Sequence, residues 1–264
     1  MRKSKVLAKW RNGEFARFCA LGHVLPFFIR YAAHYGYDGI WLDLEHRNMD
    51  MREVQYLMAL CHQYDIDCMV RPPTTMRTRL YRYLEDGATG FMVPFVSTAE
   101  FARHLVECTK FPPLGNRGLD GAGLDSDFAL LTRIPNSTFT EDANRETFIV
   151  AQIETPEAVE NAAEIAAVPG IDLLFVGPGD LGLRMEADKS ITYTMDEAVA
   201  RVAAAAREYG KYWGRTASAI DELAGYVAQG AQMVPWGGDF ALSKLLQEYS
   251  QGLDRVLSGE RKFT

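Results

Sequence analysis

The sequence predicts an α/β fold, a single (β/α)8 TIM barrel over residues 1–264, on three observations. Short apolar runs rich in β-branched and aromatic residues recur, and longer stretches of helical periodicity separate them. The alternation continues for eight rounds. Eight rounds in about 250 residues is the size and rhythm of that barrel. A doubly wound open sheet is the alternative, but no GxGxxG follows the first strand and no GxxxxGK[ST] loop occurs.

The strands are expected at RFCALG (17–22), GIWLDLE (39–45), DCMVRP (67–72), GFMVPF (90–95), FIVAQIE (148–154), LLFVGPG (173–179), YWGRTA (212–217) and MVPWGG (233–238). Helical spacing marks 50–64, 75–87, 97–110, 155–168, 195–210 and 218–230, several of them opening on Ser, Thr or Asp and closing on glycine. The stretch FCALGHVLPFFI, behind a basic N-terminus, has the apolar character of a signal peptide, but His23 and Pro26 interrupt it and no small-residue cleavage site follows. It reads as a strand entering a helix. Residues 111–144 exceed an ordinary connection and are expected to form a functional βα loop with some helix of its own. The run at 240–259 is expected to be a last helix, in the outer ring or at an interface.

Composition narrows the function. With 48% apolar residues the chain can bury a sizeable core. A net charge of −7, with no basic cluster beyond MRKSK, argues against nucleic acid or an anionic membrane as partner. No run reaches the roughly 18 apolar residues of a membrane helix. Cys19, Cys61, Cys68 and Cys108 show no CxxC spacing and lie among apolar neighbours, so they read as buried thiols in a reducing cytoplasm.

In a barrel of this kind active sites form at the C-terminal ends of the strands. Polar and charged residues stand at those ends here: Glu45 and His46 after the second strand, Arg71 on the third, Gln152 and Glu154 on the fifth, Asp180 after the sixth, Arg215 and Thr216 on the seventh, and Asp239 after the eighth. Glu154 and Asp180 come from adjacent strands, and two carboxylates sharing a site suit Mg²⁺ or Mn²⁺. The plainer alternative is that Glu154 caps the next helix and Asp180 starts a turn. His46 is a candidate base near neutral pH, and Arg71 a partner for a carboxylate or an oxyanion. None of the eight lysines falls inside the expected barrel mouth, so a Schiff-base nucleophile is not expected.

The stretch GYDGIWLDLEHRNMD resembles the G-[FY]-D-x-x-x-x-D-x-E-H segment of the HpcH/HpaI aldolase family, the metal-dependent class II pyruvate aldolases. The likeness continues in order through VRPP, LEDGATGFMVPFVSTAE, FPPLGNRG, VAQIETPEAVEN, GIDLLFVGPGDLG and MVPWGGD. It implies a lyase that cleaves a 4-hydroxy-2-oxo acid to pyruvate and an aldehyde. It implies a divalent metal, Mg²⁺ or Mn²⁺ with Co²⁺ a further candidate, on Glu154 and Asp180, and no organic cofactor. By the same resemblance His46 is the base, Arg71 the pocket arginine and Glu85 the carboxylate that orients the histidine. Gln152 binds substrate or water, and the N–H groups of Gly179 and Asp180 hold the pyruvate carboxylate. A homo-oligomer, a hexamer with the 240–259 helix exchanged between neighbours, is implied as well.

The chain departs from the family pattern at Leu44, where glycine is usual, at GRTAS (214–218) and at GLDGAGLDSD (118–127). These positions, Thr216 among them, are expected to line the aldehyde side. A related lyase acting on phosphoenolpyruvate, oxaloacetate or an acyl-CoA, and a non-catalytic binding barrel, are the alternatives.

Overall fold

Seven parallel strands form one sheet in the order of the chain: β1 (Phe18–Leu21), β2 (Gly39–Asp43), β3 (Asp67–Arg71), β4 (Gly90–Val93), β5 (Phe148–Ile153), β6 (Leu173–Val176) and β7 (Tyr212–Arg215). The computed structural model describes residues 1–258. Parallel neighbours cannot be joined by a tight hairpin, so helical crossovers separate them. These are α2 (Pro26–His34), α3 (Met51–Gln63), α4 (Arg77–Glu85), α5 (Ala99–Thr109), α7 (Pro156–Glu160) with α8 (Ala162–Ala166), and α9 (Pro178–Ala187) with α10 (Met195–Glu208). Helices α11 (Ile220–Ala228) and α12 (Ala241–Leu257) follow β7.

The eighth expected strand, 233–238, does not form a regular ladder. Pro235 has no N–H to give, and Gly237 adopts a φ of +86°, outside strand geometry. The segment instead makes isolated parallel bridges, Met233 to both Ala16 and Gly214, and Gly238 to Ala20. Arg215 N–H donates to the Met233 carbonyl at 3.2 Å, and Trp236 N–H to Phe18 at 2.9 Å. It therefore touches both β7 and β1.

Side-chain alternation sorts the strands into two layers. Phe18, Met69, Met92, Phe148, Val150, Leu173 and Phe175 form an inner cluster, joined by Trp41. Cys19, Leu42, Val70, Phe91, Ile149, Leu174 and Trp213 face the helices. The inner layer is floored by a helix the sequence reading did not anticipate, α1 (Lys5–Arg11), whose Val6, Leu7 and Trp10 are at most 3% exposed. Trp10 meets Phe148 edge to face, centroids 5.2 Å apart. Buried Asp67 fixes the start of this helix, accepting from Ser4 Oγ at 2.6 Å and Val6 N–H at 3.0 Å.

Side-chain caps open five of the twelve α-helices among the described residues. Asp50 accepts from the N–H groups of Arg52 and Glu53 while Glu53 returns a bond to Asp50 N–H, a capping box worth about 1 kcal/mol. The expected helix 155–168 is broken at Asn161 into α7 and α8. The long 111–144 segment holds a short 3-10 turn (Leu124–Ser126), and α6 (Phe139–Glu146) begins within it. A buried Arg117–Asp125 pair at 2.6 Å anchors it. The last helix runs Ala241–Leu257, residue 259 lying outside the described residues, and buries none of its side chains. All four cysteines are free and buried. Among the described residues no helix is long and apolar enough to cross a membrane.

Candidate active site

The polar strand-end residues follow from the inward parity of the strands. Asp43 lies two residues beyond Trp41, Arg71 two beyond Met69, and Gln152 two beyond Val150, so each continues an inward-facing series past its apolar part. Parallel pairing sets Asp43 directly opposite Arg71. Arg71 consequently makes a bidentate ion pair with Asp43, Nε to Oδ1 at 2.9 Å and Nη2 to Oδ2 at 2.7 Å. Its Nε also lies 3.2 Å from Glu45 Oε2, and its guanidinium stacks on the Trp41 ring at 4.9 Å.

The turn after β2 is wound around the same carboxylate. Glu45 N–H and His46 N–H both donate to Asp43 Oδ1, at 3.1 and 3.3 Å. His46 is left half exposed, its Nε2 3.5 Å from Glu45 Oε2. Leu44, between them, has the opposite parity. It is buried among the helix-facing residues, so it does not line the aldehyde side as expected.

Glu154 sits beyond β5 and is almost wholly buried. Phe95 N–H donates to its Oε1 at 2.9 Å and Gln152 Nε2 to its Oε2 at 2.6 Å. Phe95 holds a φ of +54°, a conformation costly for a side chain of that size, at the residue whose N–H makes this bond. Burial pushes the Glu154 carboxyl up to about 7; the Phe95 N–H opposes this, and the charges of Glu45 and Asp180 add to it. Gly177 leaves room for this pair: a Cβ would stand 2.5 Å from Glu154 Oε2 and 2.9 Å from Gln152 Nε2, so either side chain would have to move.

Asp180 and Gly179 lie in the first turn of α9, behind Pro178. A helix start leaves such N–H groups without an intrahelical acceptor, which suits an anion. The Asp180 side chain is turned to Arg184, Oδ1 to Nη1 at 2.7 Å. Thr216 follows β7 half buried, and its carbonyl accepts from Arg215 Nε at 3.2 Å. Arg215 has the outward parity and lies over the Tyr226 ring of α11 at 4.4 Å, away from the inner layer.

Glu85 is not brought to His46. It ends α4, and a crossover helix ends where the next strand begins, five residues before Gly90, whereas His46 follows the far end of β2. The charges that act on Glu85 are those of Arg117, Asp125, Asp120 and Arg82, and burial raises its pKa. It lines a cleft of about 550 Å³ with Arg79, Arg82, Asp86 and Asp120. Glu45 is the carboxylate beside His46. The sequence reading left Asp43 and Glu45 unassigned and passed over Gly177 and Phe95; the inward spacing from Trp41 was the available signal for Asp43.

Among the described residues no three His, Cys, Asp or Glu side chains converge as metal ligands. The donor chemistry of the expected pair nevertheless fits a hard divalent cation. The charges of Glu45 and Asp180 both reach Glu154, that of Asp180 also reaches Glu45, and the Gln152 Oε1 is buried without a partner.

A sequence profile of the HpcH/HpaI aldolase/citrate lyase family matches residues 22–244. The chain is 30% identical over 233 residues to a 2-keto-3-deoxy-L-rhamnonate aldolase of Klebsiella pneumoniae, covering 86% of this chain and 82% of the relative. It is 32% identical over 231 residues to a hydroxypyruvate/pyruvate aldolase of Deinococcus radiodurans, covering 84% and 79%. The fold superposes on the crystal structure of an HpcH/HpaI aldolase from Desulfitobacterium hafniense with a TM-score of 0.83 at 30% identity, covering 94% and 95%. With the profile spanning most of the chain and two aldolases related along nearly its whole length, the protein belongs to the HpcH/HpaI aldolase/citrate lyase family.

Proposed function

We propose that this protein is a divalent-metal-dependent aldolase that cleaves a 4-hydroxy-2-oxo acid to pyruvate and an aldehyde. The observation that carries the reading is the juxtaposition of a pinned cation, Arg71, with the buried carboxyl group of Glu154 at the ends of strands that share one inner face. The relatives named above are aldolases of 2-oxo acids, which supports it.

Glu154 and Asp180 would hold the cation, Mg²⁺ or Mn²⁺ with Co²⁺ a further candidate. When bound, it supplies positive charge against the negative charge that grows on the 2-oxo acid as the carbon–carbon bond breaks. The free N–H groups of Gly179 and Asp180 bind the substrate carboxylate. Arg71, immobilised by Asp43, faces the developing oxyanion without having to reorganise. His46 takes the proton from the C4 hydroxyl in cleavage and returns it to the aldehyde oxygen in addition. Gln152 and Gly177 fix Glu154 in place, and Thr216 lies towards the aldehyde side. Glu85, distant from His46 in this chain, takes no step in this scheme.

The same reading extends to the fold: the 232–239 segment, hydrogen bonded to both β7 and β1, would take the eighth strand position of a (β/α)8 barrel. The outer ring is bare beside it. A cleft of about 380 Å³ lined by Phe15, Tyr35, Tyr37, Leu223 and Trp236 lies where an eighth helix would pack, while α12 leaves Leu242, Leu246, Tyr249 and Leu253 exposed. A homo-oligomer, a hexamer in which α12 enters the neighbour's cleft, accounts for both. Four buried free thiols suit a reducing cytoplasm.

Purified protein with Mn²⁺ or Mg²⁺ should release pyruvate from a 4-hydroxy-2-oxo acid, and EDTA should abolish the release. Metal-independent turnover with an adduct trapped by borohydride would contradict the reading.

A further inference from the structure

A second polar group stands at the mouth, where β1 and the 232–239 segment end. His23 Nδ1 lies 2.7 Å from Asp239 Oδ2, and the same oxygen accepts Gly22 N–H at 2.9 Å. Asp239 is 4% exposed, yet its other oxygen, Oδ1, is buried with no hydrogen-bond partner. The Phe240 ring touches two polar neighbours, the His23 ring edge to face at 5.2 Å and the Arg47 guanidinium at 4.8 Å. Arg47 packs closely over Gly22, where a Cβ would meet its Cγ at 3.0 Å. Its Nη1 donates to the His46 carbonyl, while its Nε is buried without a partner.

The arrangement has the form of a docking point beside the base. Asp239 fixes the His23 ring through Nδ1, which leaves Nε2 as the ring's free hydrogen-bonding atom on a side chain that is 54% exposed. Adjacent strands carry His23 and His46 at corresponding ends, since Leu21 pairs with Leu42. With Nδ1–H given to the Asp239 carboxylate, the exposed Nε2 of the neutral ring is an acceptor. A hydroxyl group supplies the proton it takes. An anionic terminus would meet the Asp239 carboxylate and be repelled.

We infer that His23, held by Asp239 as a positioning residue, selects the aldehyde half of the substrate by hydrogen bonding a hydroxyl next to the carbonyl. The inference rests on the aldolase reading above. A site that hydrogen bonds a substrate hydroxyl discriminates against the analogue without it, because its buried polar groups are then left unpaired.

The test compares kcat/KM for pyruvate addition to glycolaldehyde, propionaldehyde and succinic semialdehyde in the wild type, His23→Leu and His23→Asn. The wild type should prefer glycolaldehyde. His23→Leu should lower the glycolaldehyde-to-propionaldehyde ratio by about tenfold, the worth of one hydrogen bond to a fixed partner. His23→Asn, which keeps hydrogen-bonding atoms, should recover part of it. An unchanged ratio in His23→Leu, a parallel fall with both aldehydes, or a wild-type preference for succinic semialdehyde would overturn the assignment. Wild-type exchange of pyruvate methyl protons with D2O, read separately, reports on the aldolase reading itself. If exchange occurs and the ratio does not move, His23 alone is misassigned; if exchange is absent with metal present, both fall.

Discussion

Arg71 and Asp43, paired across the β2–β3 register, are locked in a two-pronged ion pair with both side chains only 12% exposed. Burial favours the protonated acid, but the Arg71 hydrogen bonds and charge, with the N–H groups of His46 and Glu45, overcome it and hold the carboxyl below its usual value. A pKa lowered in the folded state stabilises above the unfolded value, about 3.9, and that stabilisation is lost as pH falls through the folded value. Asp43→Asn should therefore cost about 1–3 kcal/mol at pH 7. Urea denaturation should show the gap from wild type shrinking at pH 3. A gap of equal size at both pH values would contradict the assignment.

Glu154 predicts how metal affinity depends on pH. Its carboxyl, pushed up to about 7 chiefly by burial, must lose a proton before it can ligate a cation. Mg²⁺ or Mn²⁺ affinity, followed by calorimetry, should rise up to about tenfold per pH unit below 7 and level off above it. Glu154→Gln should lose most of the affinity at every pH. An affinity flat from pH 5.5 to 8.5 would show that Glu154 is not a ligand.

Gly177 tests the cradle around Glu154. Its φ of −91° is open to any residue, so alanine brings no backbone strain, only a Cβ against Glu154 and Gln152. Gly177→Ala should keep a cooperative melt while lowering kcat/KM at least about a hundredfold, because a displacement near 1 Å at a catalytic group is that costly. Activity within twofold of wild type would mean that Glu154 tolerates the move and lies outside the chemistry.

The bare face of α12 predicts the assembly. Leu246 and Tyr249 are each more than 60% exposed, so replacing both by Asp removes nothing from the core. Light scattering should find the unaltered chain as an oligomer and the double variant as a smaller species. A full chain that is monomeric at micromolar concentration would contradict the exchanged-helix arrangement.

Much of this site was legible in the sequence because strands alternate. His46, Arg71, Gln152, Glu154 and Asp180 could be placed at strand ends from apolar runs that stop in charge. Position along the strand axis was harder. Glu85 lies in a motif shared with the family, yet motif order does not say which end of a crossover helix faces the mouth, and α4 ends on the opposite side from His46. The eighth strand was read from the apolar pair Met233 and Val234, while Pro235 and Gly237 carried the contrary signal that it would bridge rather than ladder. Helix α1 announced itself weakly, through the Ser4 cap and the spacing of Val6, Leu7 and Trp10, and a seven-residue helix gains stability only from the floor it packs on. The His23–Asp239 contact joins residues 216 apart, a pairing no local pattern discloses.

The central claim is that Glu154 and Asp180 hold a cation that lets this chain generate a carbanion equivalent from pyruvate. Deuterium exchange into the pyruvate methyl group, followed by proton NMR in D2O, tests it without knowledge of the aldehyde. Exchange should occur with Mn²⁺ or Mg²⁺, cease with EDTA, return when metal is added back, and be lost in Glu154→Ala. Exchange that survives EDTA and the Glu154→Ala substitution would contradict the account.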